Sequence, residues 1–326
     1  MNVVAIGGGT GLSTLLRGLK REVGESIKKL TAIVTVADSG GSTGKIRKIY
    51  NIPAPGDIRN CIVALSDSEE IMQDLFQYRF KGEGLEGHAF GNLFLTAMTE
   101  ITGSFLEAVK ITSKILRTRG EIIPSTVSDV QLVARFSDGS VVKGEEEITE
   151  YGKEKDVKVE DIWIEPGDAQ APIDAIGSIE TADLILFGPG SLFTSIIPNL
   201  LIEGIRSAVA RSSALKVFIV NAMTQPGETD GFTAYDHYRT FLKFSGLEKV
   251  DAVIVNTKMP SSGLLRKYLE QGQEPVVPDV GRIAREGPSV YAEDLIGEQE
   301  SFVRHDPDRL TDLILKIAQD EILSGI

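Results

Sequence analysis

Five short apolar runs constrain this chain more than any other feature: Val3–Ile6, Ala32–Val36, Leu184–Phe187, Val217–Val220 and Ala252–Val255. Each breaks off into a loop of Gly, Ser, Thr, Asn or Pro. Runs this continuously apolar fit strands buried on both faces, as in a parallel sheet covered by helices. Helical spacing follows the first run at once, in Leu12, Leu15, Leu16, Leu19 and Val23. The pattern predicts an α/β fold with a Rossmann-like, doubly wound parallel sheet, in a single domain spanning 1–326. In such a sheet the C-terminal strand ends share one edge, and ligands sit in the crevice beyond them. The five polar loops are therefore expected to converge on one site.

One stretch departs from the alternation. Over 120–166, Val130, Leu132, Ala134 and Phe136 alternate with other residues, Asp138-Gly139 signals a hairpin, and Ile162-Trp163-Ile164 reads as a strand. This predicts a β-rich insertion or subdomain lying outside the parallel sheet. Its charged run, Glu145 to Asp161, reads as a solvated face.

Charge and composition exclude several classes. A net charge of −13 argues against a nucleic-acid partner, whose backbone is bound by neutralising phosphates, but not against a small phosphorylated ligand. No apolar run approaches the ~20 residues of a membrane span, and no basic segment precedes an apolar leader. Cys61 is alone and lies in an apolar helical pattern, which reads as a buried thiol in a reducing, cytoplasmic compartment. A homodimer is the default oligomer.

The loops carry the chemistry. Gly8, Gly9, Thr10 and Gly11 form a bare turn into a helix, the arrangement that presents backbone N–H groups to a phosphate. Ser39, Gly40, Gly41, Ser42 and Thr43, then Gly188, Gly190 and Ser191, offer amides and hydroxyls of the same kind. The loop after Val217–Val220 adds Asn221 and Thr224.

Two roles fit Asp38: a ribose-binding carboxylate, although it falls 27 residues past Gly11 against the usual ~20, or a Mg²⁺ ligand beside a phosphate. Lys45, Arg47 and Lys48 follow as a basic patch. Asp57 reads either as a helix cap or as a site residue, and Arg59 and Asn60 either reach a phosphate or lie on the surface. His88, near Asn92, is either a donor to a ligand or a capping histidine. No zinc spacing, hydrolase elbow or P-loop is present.

Several of these stretches together are similar to the YvcK-like gluconeogenesis factors, a branch of the CofD (2-phospho-L-lactate transferase) superfamily. The resemblance rests on Ile6–Ser13, Val36–Gly44, Pro55–Asn60, Gly87–Leu93, Gly188–Leu192 and Asn221–Thr229, and so spans nearly the whole chain. It implies a Rossmann-like core, a cytoplasmic location and a role in cell shape and gluconeogenic growth. It also implies binding of UDP-sugars such as UDP-N-acetylglucosamine, with Tyr268 and Arg304 at matching positions. A Tyr suits a base and an Arg suits a pyrophosphate. The superfamily's transferases carry paired aspartates where this chain has Asp38 and Ser39, and an Asn where it has Thr35.

Three readings follow. One is a nucleotide-sugar-binding regulatory protein. Another is a Mg²⁺-dependent transferase of a phosphorylated group, with Asp38 catalytic. The third is an NAD(P)-dependent oxidoreductase, which lacks an evident hydride-transfer acid, although NAD(P) itself fits the crevice.

Overall fold

The computed structural model describes residues 1–299 and 302–323. Strands β1 (Asn2–Gly7), β2 (Lys29–Val34) and β3 (Glu121–Pro124) open the chain. β4 (Gln131–Phe136), β5 (Val141–Lys143) and β6 (Val159–Glu165) follow as a separate antiparallel sheet with β4 in the middle. Then come β7 (Leu184–Phe187), β8 (Leu215–Ile219), β9 (Ala252–Asn256) and β10 (Ser289–Glu293). A hairpin, β11 (Ile296–Gln299) and β12 (Phe302–His305), precedes the final helix, Pro307–Leu323.

The main sheet has seven parallel strands in the order β10-β9-β8-β7-β1-β2-β3. The chain winds outward from β1 to β3, then returns to the other side of β1 with β7 and winds outward again. β1 therefore sits at the reversal point, with Ala5 level with Ala32 on one side and Leu186 on the other. At such a point the elements that follow β1 and β7 lead away to opposite sides, and a crevice opens beyond the strand ends. This is the Rossmann-like, doubly wound α/β architecture expected from the apolar runs.

Two sheet strands lie beyond those five runs, and both are edges. β3 ends in Pro124, which an edge strand tolerates because one side of its ladder is free. β10 is largely exposed and polar, so no apolar run announces it. The stretch 120–166 thus divides: Glu121–Pro124 pairs with β2 inside the parallel sheet, and the antiparallel sheet begins only after it. The hairpin expected at Asp138-Gly139 does join β4 to β5. The inner faces of β4, β6 and the Glu145–Lys155 helix (Leu132, Phe136, Ile148 and Ile164 among them) share one contiguous core with β1.

Helices α1 (Gly9–Leu19), α2 (Gly41–Tyr50) and α3 (Pro55–Leu65) connect the first strands. α1 buries Leu12, Leu15, Leu16 and Leu19 against α3 and the Pro307–Leu323 helix. Cys61 is buried within α3. Among the described residues no single helix is long and apolar enough to cross a membrane.

Candidate functional site

The turn after β1 is shaped by what presses against it. Gly8 is extended, and a Cβ there would lie 2.5 Å from Asp57 Oδ2 and 2.6 Å from Thr35 Cγ2. A Cβ at Gly11 would lie 2.7 Å from the Pro189 carbonyl carbon, so the loops after β1 and β7 meet backbone to backbone. α1 starts with no side-chain cap and no acidic residue in its first turn. Asp57 takes the Gly9 N–H from behind, and Thr10 and Gly11 in the same first turn line a cleft.

The α1 N-terminus forms one side of this cleft of about 530 Å³, lined by Gly8, Thr10 and Gly11. The loops after β7 and β8 form its floor, through Pro189–Ser191, Ser195 and Asn221–Gln225. The Gly190 N–H donates to Asn221 Oδ1 (3.0 Å), and Asn221 Nδ2 donates to Gln225 Oε1 (3.2 Å), which locks the two loops together.

The far wall comes from the β11–β12 hairpin and the Ser262–Glu270 helix. The Val303 N–H donates to the Tyr268 hydroxyl (2.9 Å), and both residues line the cleft. Arg304 is exposed at the same wall. Its guanidinium stands 5.0 Å from the Phe302 ring centre and has no acidic partner among the described residues. His305 is buried with Nε2 unpartnered, and burial lowers its pKa to about 4, so it is neutral.

Carboxyl groups gather behind the α1 N-terminus. Asp57 accepts from the Gly9 N–H, and burial, with the Asp38 charge second, pushes it up to about 7. Asp57 therefore staples the glycine turn instead of capping its own helix, which has no side-chain cap. Burial also raises Asp38, against the pull of the Gly40 N–H (2.8 Å to Oδ1) and the Thr43 hydroxyl. Glu145 lies in the cleft near Thr194. Burial first, then the charges of Asp38, Asp57 and Glu228, raise it well above the usual carboxylate range.

Glu228 is buried, and burial raises it too. It accepts from the hydroxyls of Ser191, Thr194 (3.4 Å) and Thr149 (3.2 Å). Ser191, read from sequence as a hydroxyl donor for phosphate, is thus committed to Glu228. Glu145 corrects the reading of its charged run as wholly solvated: the first residue of that helix reaches the cleft.

The candidate residues divide into two groups. Gly8, Thr10, Gly11, Gly190, Ser191, Asn221, Thr224, Tyr268 and Arg304 line the switch-point cleft. Gly9 and Gly188 support it from just behind, both at positive φ. The loop after β2 does not line it. Ser39 Oγ accepts from the Glu146 N–H (3.3 Å) and donates to Glu147 (3.1 Å), tying Gly40 and Gly41 to the insertion helix.

Arg47, 5% exposed, holds the Asp38 carbonyl through Nη1 (3.1 Å) and Asp129 through Nε (2.8 Å). Ser42 Oγ and His88 Nδ1 share a hydrogen bond of 2.8 Å. Asn92 is buried and donates weakly to Thr43 Oγ1 (3.4 Å). Arg59 is buried beside Asn60, which overturns the surface alternative for it.

For Mg²⁺ the donor chemistry fits in part. Asp38 and Asp57 are carboxylates that raise one another's energy, which a hard cation relieves. Yet among the described residues no group of three or more Asp, Glu, His or Cys is spaced to hold a metal. Ligand phosphates and water would have to complete the shell.

Fold and cleft together define a doubly wound α/β protein with a ligand-sized opening at its switch point. The chain belongs to the CofD family: the model of 2-phospho-L-lactate transferase CofD matches residues 3–296. It is 72% identical over 326 residues to a protein of Aquifex aeolicus named "Putative gluconeogenesis factor", covering 100% of this chain and 99% of that one. It is 42% identical over 319 residues to the "Gluconeogenesis factor" of Bacillus subtilis, covering 98% of each. A crystal structure of a Bacillus halodurans protein superposes with a TM-score of 0.92 at 42% identity, over 96% of this chain and 99% of that one.

Proposed function

We propose that this protein binds a uridine nucleotide sugar, of the UDP-N-acetylglucosamine kind, and acts as a cytoplasmic regulator. Through occupancy of the cleft it links precursor supply to gluconeogenic growth and cell shape. One observation carries the reading: the N-terminus of α1, with no acidic residue in its own first turn, and the guanidinium of Arg304, with no acidic partner among the described residues, face one cleft of about 530 Å³. A diphosphate suits both, and Tyr268 and Phe302 on the same wall give a base an apolar surface. The relatives' names support the metabolic side of the proposal.

A thermal-shift panel of uridine, guanosine and nicotinamide nucleotides tests it. A uridine nucleotide at 100 times its Kd stabilises the fold by about 2.7 kcal/mol. Arg304→Ala leaves the unliganded Tm unchanged and weakens binding about tenfold or more. Absence of any shift with millimolar uridine nucleotides would sink the proposal.

The gathered carboxyls favour a second reading, a Mg²⁺-dependent transferase of a phosphorylated group. Asp38 and Asp57 would then hold the ion against ligand phosphates, and the ion would neutralise charge on the transferring group. Ligand affinity that is equal with and without Mg²⁺, in wild type and Asp38→Asn alike, counts against it.

A further inference from the structure

At the start of α3, among residues that do not line the cleft, lies a buried cation with no ion-pair partner among the described residues. Arg59 stands in the first turns of α3 and is only 6% exposed. Its stem lies against the start of the Phe90–Thr102 helix, where a Cβ at Gly91 would come within 2.8 Å of Arg59 Cγ and 2.9 Å of Cδ. Two sequence motifs therefore meet here: Gly56–Asn60 brings the guanidinium, and Gly87–Asn92 brings the glycine that makes room for it.

The guanidinium is poorly satisfied. Nη2 donates to Asn60 Oδ1 (2.7 Å), while Nε and Nη1 are buried with no acceptor among the described residues. Burying such donors unpaired is costly, and more so when they carry charge. Among the described residues no carboxylate forms an ion pair with Arg59; Asp57 and Asp38 act on it only through their fields. A second cation belongs to the same corner: Arg79 pairs in an antiparallel bridge with Ala89, two residues before the Gly91 against which the Arg59 stem lies. Burial first, and the Arg79 charge second, lower Arg59 to about 10. Arg79 is exposed, donates to the Gly87 carbonyl (2.9 Å) and has no acidic partner among the described residues. Two neighbouring guanidiniums without an anion destabilise each other, and a tetrahedral oxyanion accepting from both reverses the sign.

We infer that Arg59 and Arg79 form an oxyanion site distinct from the switch-point cleft, which takes inorganic phosphate or the phosphoryl end of a second, phosphorylated metabolite. The buried arginine provides a fixed donor set, and the exposed one closes over the anion from the solvent side. The site neither requires nor excludes a nucleotide in the cleft, so each stands or falls alone.

The experiment titrates full-length protein with inorganic phosphate in phosphate-free buffer, with and without saturating UDP, and reads Tm and binding heat. Phosphate raises Tm in both conditions, and Arg304→Ala leaves that response intact. Arg79→Ala and Arg59→Gln each weaken phosphate binding about tenfold or more. Arg79 is exposed, so its truncation keeps the test valid even if Arg59→Gln fails to fold. Glycerol phosphate binding more tightly than inorganic phosphate identifies a metabolite as the occupant, and equal or weaker binding identifies the free ion. The inference is overturned if millimolar phosphate gives no response, if Arg79→Ala leaves the response unchanged, or if Arg304→Ala abolishes it.

Discussion

Two glycine-rich turns leave adjacent strands of the sheet, and they do opposite things. The turn after β1, Gly7 to Gly11, is hemmed in by Asp57, Thr35 and Pro189, and its helix N-terminus opens on the cleft. The turn after β2, Asp38 to Gly44, has Gly41 at φ 46 with nothing within 4 Å of a would-be Cβ, yet it is roped to the insertion helix through Ser39. At Gly8 and Gly11 glycine admits close approach; at Gly41 it supplies a backbone conformation. Glycine content thus marks where a chain bends tightly. What lies opposite decides whether the bend meets a ligand or a neighbouring helix.

Substitutions that swap these roles test the contrast. The largest effect is expected for Gly11→Val, which drives a branched side chain into the Pro189 backbone and costs about 3 kcal/mol or more. Gly41→Ala should cost only about 1–2 kcal/mol, the penalty of a left-handed backbone. Chemical denaturation of the two variants compares them directly, and equal losses would erase the distinction.

Next comes Asp57, which touches the first turn and repels the acid of the second. Its folded pKa, about 7, stands above the ordinary 3.8, so the folded state holds a proton that the unfolded chain releases. Stability from this group is full below about pH 4, declines as pH rises towards 7, and is flat beyond. Asp57→Asn keeps an acceptor for the Gly9 N–H and removes the titration. The variant should be the more stable protein at pH 8, by on the order of 2 kcal/mol, and level with wild type near pH 4. A stability–pH profile unchanged by the substitution would break the link between the turns.

Smaller effects sharpen the comparison from either side. Tyr268→Phe leaves the Val303 N–H without its acceptor and should cost about 1 kcal/mol, with a matching fall in uridine nucleotide affinity. Ser39→Ala removes the hydroxyl that receives the Glu146 N–H and should cost about 0.5–1 kcal/mol while leaving nucleotide affinity untouched. Calorimetric titration separates the two outcomes.

Most of the sheet was legible because its inner strands are apolar without interruption. β3 and β10 were not, because an edge strand needs only one apolar side and can carry Pro124, Ser289 and Glu293. The cleft was legible from β1, β7 and β8, whose loops are short and follow their strands directly. Its far wall was not: Tyr268 and Arg304 sit in no glycine motif, and only the family resemblance pointed to them. Glu145 was hidden by its company, since Glu145, Glu146 and Glu147 look alike in sequence and only the first turns into the cleft. Glu228 lay in plain view within Gly227-Glu228-Thr229, but a lone acid in a loop does not reveal that three hydroxyls converge on it.

The hairpin wall has a consequence for how the molecule comes into being. The parallel sheet is complete once β10 has been synthesised, and its core needs nothing from β12 to pair strand with strand. The cleft still lacks Phe302, Arg304 and His305 at that moment. A nascent chain therefore has every strand of its sheet before it has the far wall of the cleft. That wall arrives with the last strand, when Val303 finds the hydroxyl of Tyr268.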